Sequence, residues 1–580
     1  MNPFKKKRIR LWRVVIIGVF FSILYGTIAA RAIYIQVFKR SWLSEKAADQ
    51  YERSFIFNGK RGIIYDRNHR EMAVSIDVPS IAAYPAHIKN VENTAKALAH
   101  TLNIDDNKVE RQLASKRSFV WIKRHVVPKE KKAVKELNLE GIDFIPENNR
   151  VYPNKTLAAQ VLGFSGIDGH GLEGIEFYYD SYLKGEAGKF TIVKDALNRV
   201  FDAEKKIEAT TYGGKNLVIT LDRTIQYITE RALEESVLKY SAKSGMAIVM
   251  DPKTGAVLAL AHFPFFNPNS FGSFDRNTWR NRAITDQFEP GSTMKVFLAA
   301  AAIDSGECSK NTIFFCENGA YKIGRNTVHD THSYGWLSLQ HIVKFSSNIG
   351  AVKITEMIGR KTLYNMLSSF GFGAKTGIDC PGETAGNLSP YNRWSRIDAG
   401  AISFGQGISV SAIQLVTAVS AIANGGVLMK PYIVKAVMDQ NGQTVKKFIP
   451  QKKRRVISAE TAGIIKKIMK SVTTEEGTGS LADPGFYSVC GKTGTAQKTD
   501  ETGRYARGKY VVSFLGFAPE EDPEISVLVV VDEPRENHYG GTVAAPVFKK
   551  IVLETLNYMN VAPDRGSGRL TAYWDNEVSG

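Results

Sequence analysis

The chain has 580 residues, 43% of them hydrophobic, and a formal net charge of +18. That apolar content excludes a disordered polymer and gives room for about two to four domains. The positive balance alone would suit nucleic acid, but no zinc spacing, helix-turn-helix or stacking motif accompanies it. Lys5, Lys6, Lys7, Arg8, Arg10 and Arg13 also concentrate much of it at the amino end, so no nucleic-acid partner is expected.

Val14 to Ala30 is uncharged and about as long as a bilayer core is thick, which predicts an anchor over residues 14–36. Ala29-Ala30-Arg31 is a poor cleavage site, so the anchor is read as retained. Residues 1–13 become a basic cytoplasmic tail, and the bulk of a single-pass protein of the bacterial inner membrane lies outside the cytoplasm. Beyond it, residues 50–212 read as an extended α/β spacer. They hold a short strand and turn at Arg61–Asn68, helices near Val91–Leu102 and Pro128–Leu137, and a glycine-dense stretch from Leu162 to Glu176 that marks turns and close packing. Residues 215–560 read as one large α+β domain with helices on a central antiparallel sheet. Helices are predicted near Thr224–Tyr240, Leu337–Asn348, Ala351–Phe370, Ala412–Asn424, Ala459–Thr474 and Ala544–Met559. Strands are predicted at Met246–Met250, Ala256–His262, Tyr487–Gly491, Lys509–Phe517 and Glu524–Val531. Residues 561–580 read as a flexible tail. Ten histidines without a ligand spacing argue against a metal or other cofactor. Cys308 and Cys316 are the cysteines easiest to bridge, with free buried thiols the equal alternative.

Three short patterns carry chemistry. In Glu289-Pro290-Gly291-Ser292-Thr293-Met294-Lys295, the turn formers precede an Ala-rich helix closed by Gly306, with Ser292 expected as its N-cap. Residues three apart on a helix have Cβ atoms roughly 5–6 Å apart, so the Lys295 amine can reach the Ser292 hydroxyl, a nucleophile beside a base. Ser181/Lys184 and Ser236/Lys239 repeat the spacing, so Ser-x-x-Lys decides nothing alone. Ser346-Ser347-Asn348 follows an apolar helix, whereas the similar Ser309-Lys310-Asn311 lies roughly 20 Å along the Ser292 helix and cannot serve it. Lys492-Thr493-Gly494-Thr495 starts a β-prone run, while Lys253-Thr254-Gly255 and Lys375-Thr376-Gly377 sit in turns. A strand edge there can pair with an extended peptide whose carboxylate Lys492 and Thr493 hold. A phosphate-binding loop would need glycine where Phe486 stands.

Together, in this order, the three patterns resemble the active site of penicillin-binding proteins and serine β-lactamases. Arg280–Asp286 with Phe288–Ser292, and Gly540–Phe548, resemble division-type class B transpeptidases; Arg61-Gly62, Asp66-Arg67 and the Gly163–Glu176 block resemble their pedestal, or dimerisation, domain. The resemblance implies a penicillin-binding, β-lactamase-like transpeptidase domain that cross-links the stem peptides of septal peptidoglycan and is a target of penicillin and other β-lactams. Ser292, Lys295 and Ser346 would then be catalytic, Asn348, Lys492, Thr493, Gly494 and Thr495 substrate-binding, with Ser292 and Thr495 amides receiving the oxyanion. For Lys295 to act as base its pKa must fall from about 10.4 to neutrality, roughly 4 kcal/mol, by burial and by cationic neighbours such as Lys492. The pedestal lacks a glycosyltransferase's Glu-Asp-x-x-Phe pattern, so an FtsW-like polymerase and other divisome membrane proteins are implied as partners. An elongation-type transpeptidase and a non-cross-linking penicillin sensor are the competing readings.

Overall fold

The computed structural model describes residues 3–185, 187–194, 200–202, 213–499 and 504–565. The end of the expected tail, 566–580, and residues 186, 195–199 and 203–212 of the expected spacer lie outside them. The described residues cluster as two compact units, one of residues 3–59, 187–194 and 200–202, the other of residues 60–185, 213–499 and 504–565.

In the first unit a helix runs from Pro3 to Ile33, beginning inside the segment expected as a tail, and widens into a π-helical turn at Tyr34–Phe38. Leu11–Phe38 is apolar and long enough to span a bilayer, and its apolar window buries nothing inside the protein. A helix at Arg40–Tyr51 leads to the strand Glu52–Asn58, which pairs antiparallel with Ala187–Lys194.

The second unit is built on two sheets. The first has five antiparallel strands in the order Val257–Phe263, Ser244–Met250, Ile525–Asp532, Tyr505–Ala518 and Cys490–Thr499. Strand alternation gives it two apolar faces. Val527, Val529 and Val531 pack with the helices Arg223–Lys239 and Ala545–Tyr558, and Leu528 and Val530 pack on the opposite side with the wholly buried helix Ala412–Ala423. The second sheet is mixed. Ile64–Tyr65 lies parallel to Asn216–Ile219, which pairs in turn with Val434–Met438, while Glu71–Ala83 pairs with Ile142–Val151. Strands from the expected spacer and from the domain after residue 215 thus share one sheet.

The glycine-dense segment 162–176 is packed rather than chemical: a Cβ on Gly163, whose φ is +72°, would lie 1.8 Å from the Glu173 carbonyl oxygen. Beside it Glu176, fully buried, accepts from Arg61 Nε, Arg150 Nε at 2.6 Å and the Tyr152 hydroxyl at 3.2 Å, and Arg61 also pairs with Asp180. Burial would raise the Glu176 carboxyl, but Arg150 and Arg61 outweigh it and hold it below the usual carboxylate range.

Several predicted elements are corrected. A helix at Asp106–Leu113 joins the two expected in this region. The expected helices Leu337–Asn348 and Ala351–Phe370 are three, Leu339–Phe345, Asn348–Ile358 and Arg360–Ser369. The breaks fall at Ser346, with left-handed φ of 64°, and at Gly359; the Ser347 hydroxyl caps the middle helix by accepting from the Gly350 amide. All four cysteines are free and buried. Cys308 faces the Met357 sulfur at 3.4 Å instead of Cys316, which faces Ser347.

Candidate active site

Phe297 anchors the central helix Met294–Asp304 edge-to-face against Phe370 and Phe372, with ring centroids 4.9 and 5.1 Å away. The helix is preceded by a 3-10 turn over Gly291–Thr293, so Ser292 is not its N-cap. The Thr293 hydroxyl closes the turn on the Pro290 carbonyl at 2.8 Å, which leaves the Ser292 hydroxyl unused by the backbone. Glu289 steadies the approach by accepting from the Gly407 amide at 2.8 Å and from the Tyr505 hydroxyl. Gly291, with φ of +57°, presses on the edge strand: a Cβ there would lie 2.7 Å from the Thr495 carbonyl oxygen, so a side chain would push the turn away from Thr495.

The three motifs converge. Lys295 Nζ lies 3.0 Å from Ser292 Oγ, 2.6 Å from the Ser346 carbonyl oxygen, 3.2 Å from Ser346 Oγ and 2.7 Å from Asn348 Oδ1. Lys492 Nζ lies 3.1 Å from Ser346 Oγ and 3.1 Å from Thr493 Oγ1, which reaches Thr478. Ser346 therefore stands between two amines, in the left-handed conformation that breaks its helix; such strained backbone concentrates at functional sites. Lys492 to Thr495 lie on the outermost strand, with one edge paired to Tyr505–Ala518 and Gly494 opposite Ser513.

Lys295 and Lys492 have 0% exposure. Burial pushes the Lys295 amine down to about 7, against a partial upward pull from the Asp330 carboxylate. Burial also pushes Lys492 well below its usual range, with the nearby Lys295 charge as a second cause. The required lowering of Lys295 is thus supplied by burial, and Lys492 is not its source. A neutral lysine has two N–H groups and one lone pair. The Ser346 carbonyl and Asn348 Oδ1 can only accept, so they take both N–H groups and leave the lone pair facing the Ser292 hydroxyl. The Asn348 amide is oriented for this by donating from Nδ2 to the His329 carbonyl at 3.0 Å.

Asp330, which the sequence did not single out, holds the second motif from beneath. It accepts from Ser347 Oγ at 2.6 Å and from the backbone amides of Asn348 and Ile349. It comes from the loop after the hairpin strand Asn326–His329 and shares no local pattern with Ser346. The decoys are structural. Ser236 donates to the Val543 carbonyl, Ser309 faces Thr312, Thr254 closes its turn on Asp251 and Thr376 donates to Glu383.

Acyl transfer by a serine beside a neutral buried amine, on helices packed over an antiparallel sheet, is the chemistry of the penicillin-binding serine transpeptidases, and this is a protein of that class. Residues 245–553 match the penicillin binding protein transpeptidase domain and residues 56–219 the penicillin-binding protein dimerisation domain. The chain is 35% identical to the probable peptidoglycan D,D-transpeptidase PenA of Neisseria gonorrhoeae, over 94% of this chain and 92% of that protein. It is 36% identical to stage V sporulation protein D of Bacillus subtilis (98% and 88%) and 31% identical to the peptidoglycan D,D-transpeptidase FtsI of Escherichia coli K12 (95% and 93%). The crystal structure of penicillin binding protein 3 from Mycobacterium tuberculosis, complexed with aztreonam, superposes with a TM-score of 0.69 at 28% identity, covering 88% of this chain and 98% of that one. The chain belongs to the penicillin-binding protein transpeptidase family, as a class B peptidoglycan D,D-transpeptidase.

Proposed function

We propose that Ser292 is the nucleophile, Lys295 its base and Ser346 the proton relay of a transpeptidase that closes septal wall. Ser292 Oγ attacks the carbonyl of the penultimate D-Ala of a stem pentapeptide while its proton passes to the Lys295 amine. The amides of Ser292 and Thr495 receive the oxyanion. The peptide C–N bond then breaks, and terminal D-Ala leaves with the proton delivered through Ser346. An amine from a neighbouring stem peptide attacks the acyl-enzyme ester and restores the Ser292 hydroxyl, completing the cross-link. Asn348 orients Lys295 and the peptide backbone, and the Gly494–Thr495 edge pairs with the extended donor. The substrate's terminal carboxylate, arriving beside Lys492 and Thr493, raises the Lys492 amine against the lowering by burial, because an anion favours the protonated form.

The single observation that carries these roles is the Lys295 amine within reach of both the Ser292 and Ser346 hydroxyls, with Lys492 of the edge strand on the other side of Ser346. Ser292→Ala should abolish covalent labelling by fluorescent penicillin while the unfolding midpoint stays unchanged. Labelling that persists, mapped by mass to another serine, overturns the assignment.

The septal role takes support from the relative named FtsI and from the Arg280–Ser292 and Gly540–Phe548 blocks. With it come a cytoplasmic amino terminus, set by Lys5 to Arg13, a bulk outside the inner membrane, and an FtsW-like polymerase supplying the strands. A fluorescent fusion concentrated along the lateral wall and not at midcell would favour an elongation-type transpeptidase instead.

A further inference from the structure

Near the cleft a two-stranded ribbon pairs Ile313–Phe315 with Trp336–Ser338. Its inner face is ordinary, with Phe314 buried and Leu337 packed on the core. Its outer face is not. Strand alternation puts Ile313, Phe315, Trp336 and Ser338 together on it, where a half-buried ribbon would carry polar residues. Ile313 is 62% and Trp336 67% exposed, and the Trp336 and Phe315 rings lie 5.1 Å apart. Exposed apolar patches of this kind mark binding surfaces.

The ribbon is continuous with the active site. Ser338 caps the helix Leu339–Phe345, and Ser346 follows directly. The Phe345 ring, next to Ser346 in the chain, stacks with those of His341 and Tyr334, 5.6 and 5.9 Å away, so a second aromatic group stands between the ribbon and the Ser346 turn in the chain. We infer that this outer face, with Trp336 at its centre, is a subsite for a pyranose ring of the glycan strand that carries the stem peptide. The inference rests on the peptidoglycan reading above. Reach supports it: four extended residues between the scissile carbonyl and the sugar span at most about 14 Å. The Leu339–Phe345 helix, which ends at Ser346, is roughly 10 Å long at 1.5 Å per residue, so the ribbon lies within the length that the peptide can span from that turn. Chemistry supports it as well. A pyranose presents an apolar C–H face with a hydroxyl rim, matching the Trp336 ring bordered by Ser338 Oγ and His341 Nδ1, which lie 3.0 Å apart.

The test uses the full-length protein in detergent with Trp336→Ala, Trp336→Phe and Ile313→Ser. Two substrates are compared, fluorescent penicillin, which has no sugar, and nascent strands polymerised from lipid II; peptide-stripped strands serve for binding by calorimetry. Trp336→Ala and Ile313→Ser should acylate with penicillin within about twofold of wild type, yet lose about tenfold in strand binding and in cross-linking, with Trp336→Phe largely restoring both. Equal binding of stripped strands by wild type and Trp336→Ala overturns the inference, as does no binding by wild type; a protein partner on this face would give that result. Wild-type protein that acylates and binds strands but never cross-links would refute the catalytic reading and leave this one standing.

Discussion

Arg61 and Arg150 beside Glu176, and Lys295 and Lys492 in the cleft, are all basic groups held away from water, but their surroundings differ. The first pair closes on a buried carboxylate, with Asp180 added. Burial alone would lower Arg61; Glu176 and Asp180 outweigh it and raise it. No carboxylate stands within ion-pair distance of either lysine among the described residues, and both amines fall. A buried basic group given a counter-ion keeps its charge and becomes a structural joint, while one denied it is lowered toward the range where it can give up its proton. The Arg61 cluster joins the strand start at Ile64 to the glycine-dense segment, and in the proposed mechanism Lys295 activates Ser292 while Lys492 receives the substrate carboxylate.

The largest effect expected on this contrast comes from Lys295→Met, which keeps the length and removes the lone pair. Second-order acylation by penicillin should fall about a thousandfold, within the usual contribution of a general base. The unfolding midpoint should hold or rise, because the cost of burying an amine disappears. A midpoint that drops while acylation survives would make Lys295 a structural lysine.

Glu176→Gln attacks the other side. It leaves Arg61 and Arg150 buried without an anion and should cost about 3–5 kcal/mol in denaturant unfolding, the range for a broken buried pair. The molecules that remain folded should acylate at the wild-type rate. The pH sign follows from the lowered Glu176 carboxyl. Its contribution is fully present above the ordinary carboxyl value of 4.5 and is lost as pH falls through the lowered folded value, so wild type and variant converge only in acid. If the variant kept its stability but lost acylation, the separation of joint from base would fail.

How far the sequence reached follows the same division. Ser292 and Lys295 were legible because helix geometry alone brings positions three apart together, and even the 3-10 turn that displaced the expected cap kept them within 3.0 Å. The Lys492 edge was legible because Tyr510–Phe517 is strongly β-prone. The break at Ser346 was not, since the apolar period runs through it and only Lys295, 51 positions away, gives the left-handed turn its purpose. The strand Glu71–Ala83 hid behind Asp77 and Pro79, poor strand formers; the register sets Pro79 opposite Pro146, so neither is asked for a ladder bond by the other. The joining of Ile64–Tyr65 to Asn216–Ile219 is a tertiary choice with no local trace.

Asp330 gives the smallest and most exacting test, because its negative charge acts on the Lys295 amine without pairing with it. Acylation should rise with pH through an inflection near 7, as the Lys295 amine loses its proton and gains the lone pair that takes the Ser292 hydrogen. The Asp330 charge favours protonated Lys295, so Asp330→Asn should move that inflection to lower pH, by less than a full unit for a half-buried charge acting through solvent. The plateau rate should fall about tenfold, since the asparagine amide cannot accept from Ser347, Asn348 and Ile349 as the carboxylate does. These two outcomes separate charge from scaffold. A lower plateau with an unmoved inflection means that Asp330 only props the Ser346 turn. An inflection that moves upward would mean that a charge other than Asp330 sets the Lys295 proton, and the base would then be part of a larger network than the one linking Ser292, Ser346 and Asn348.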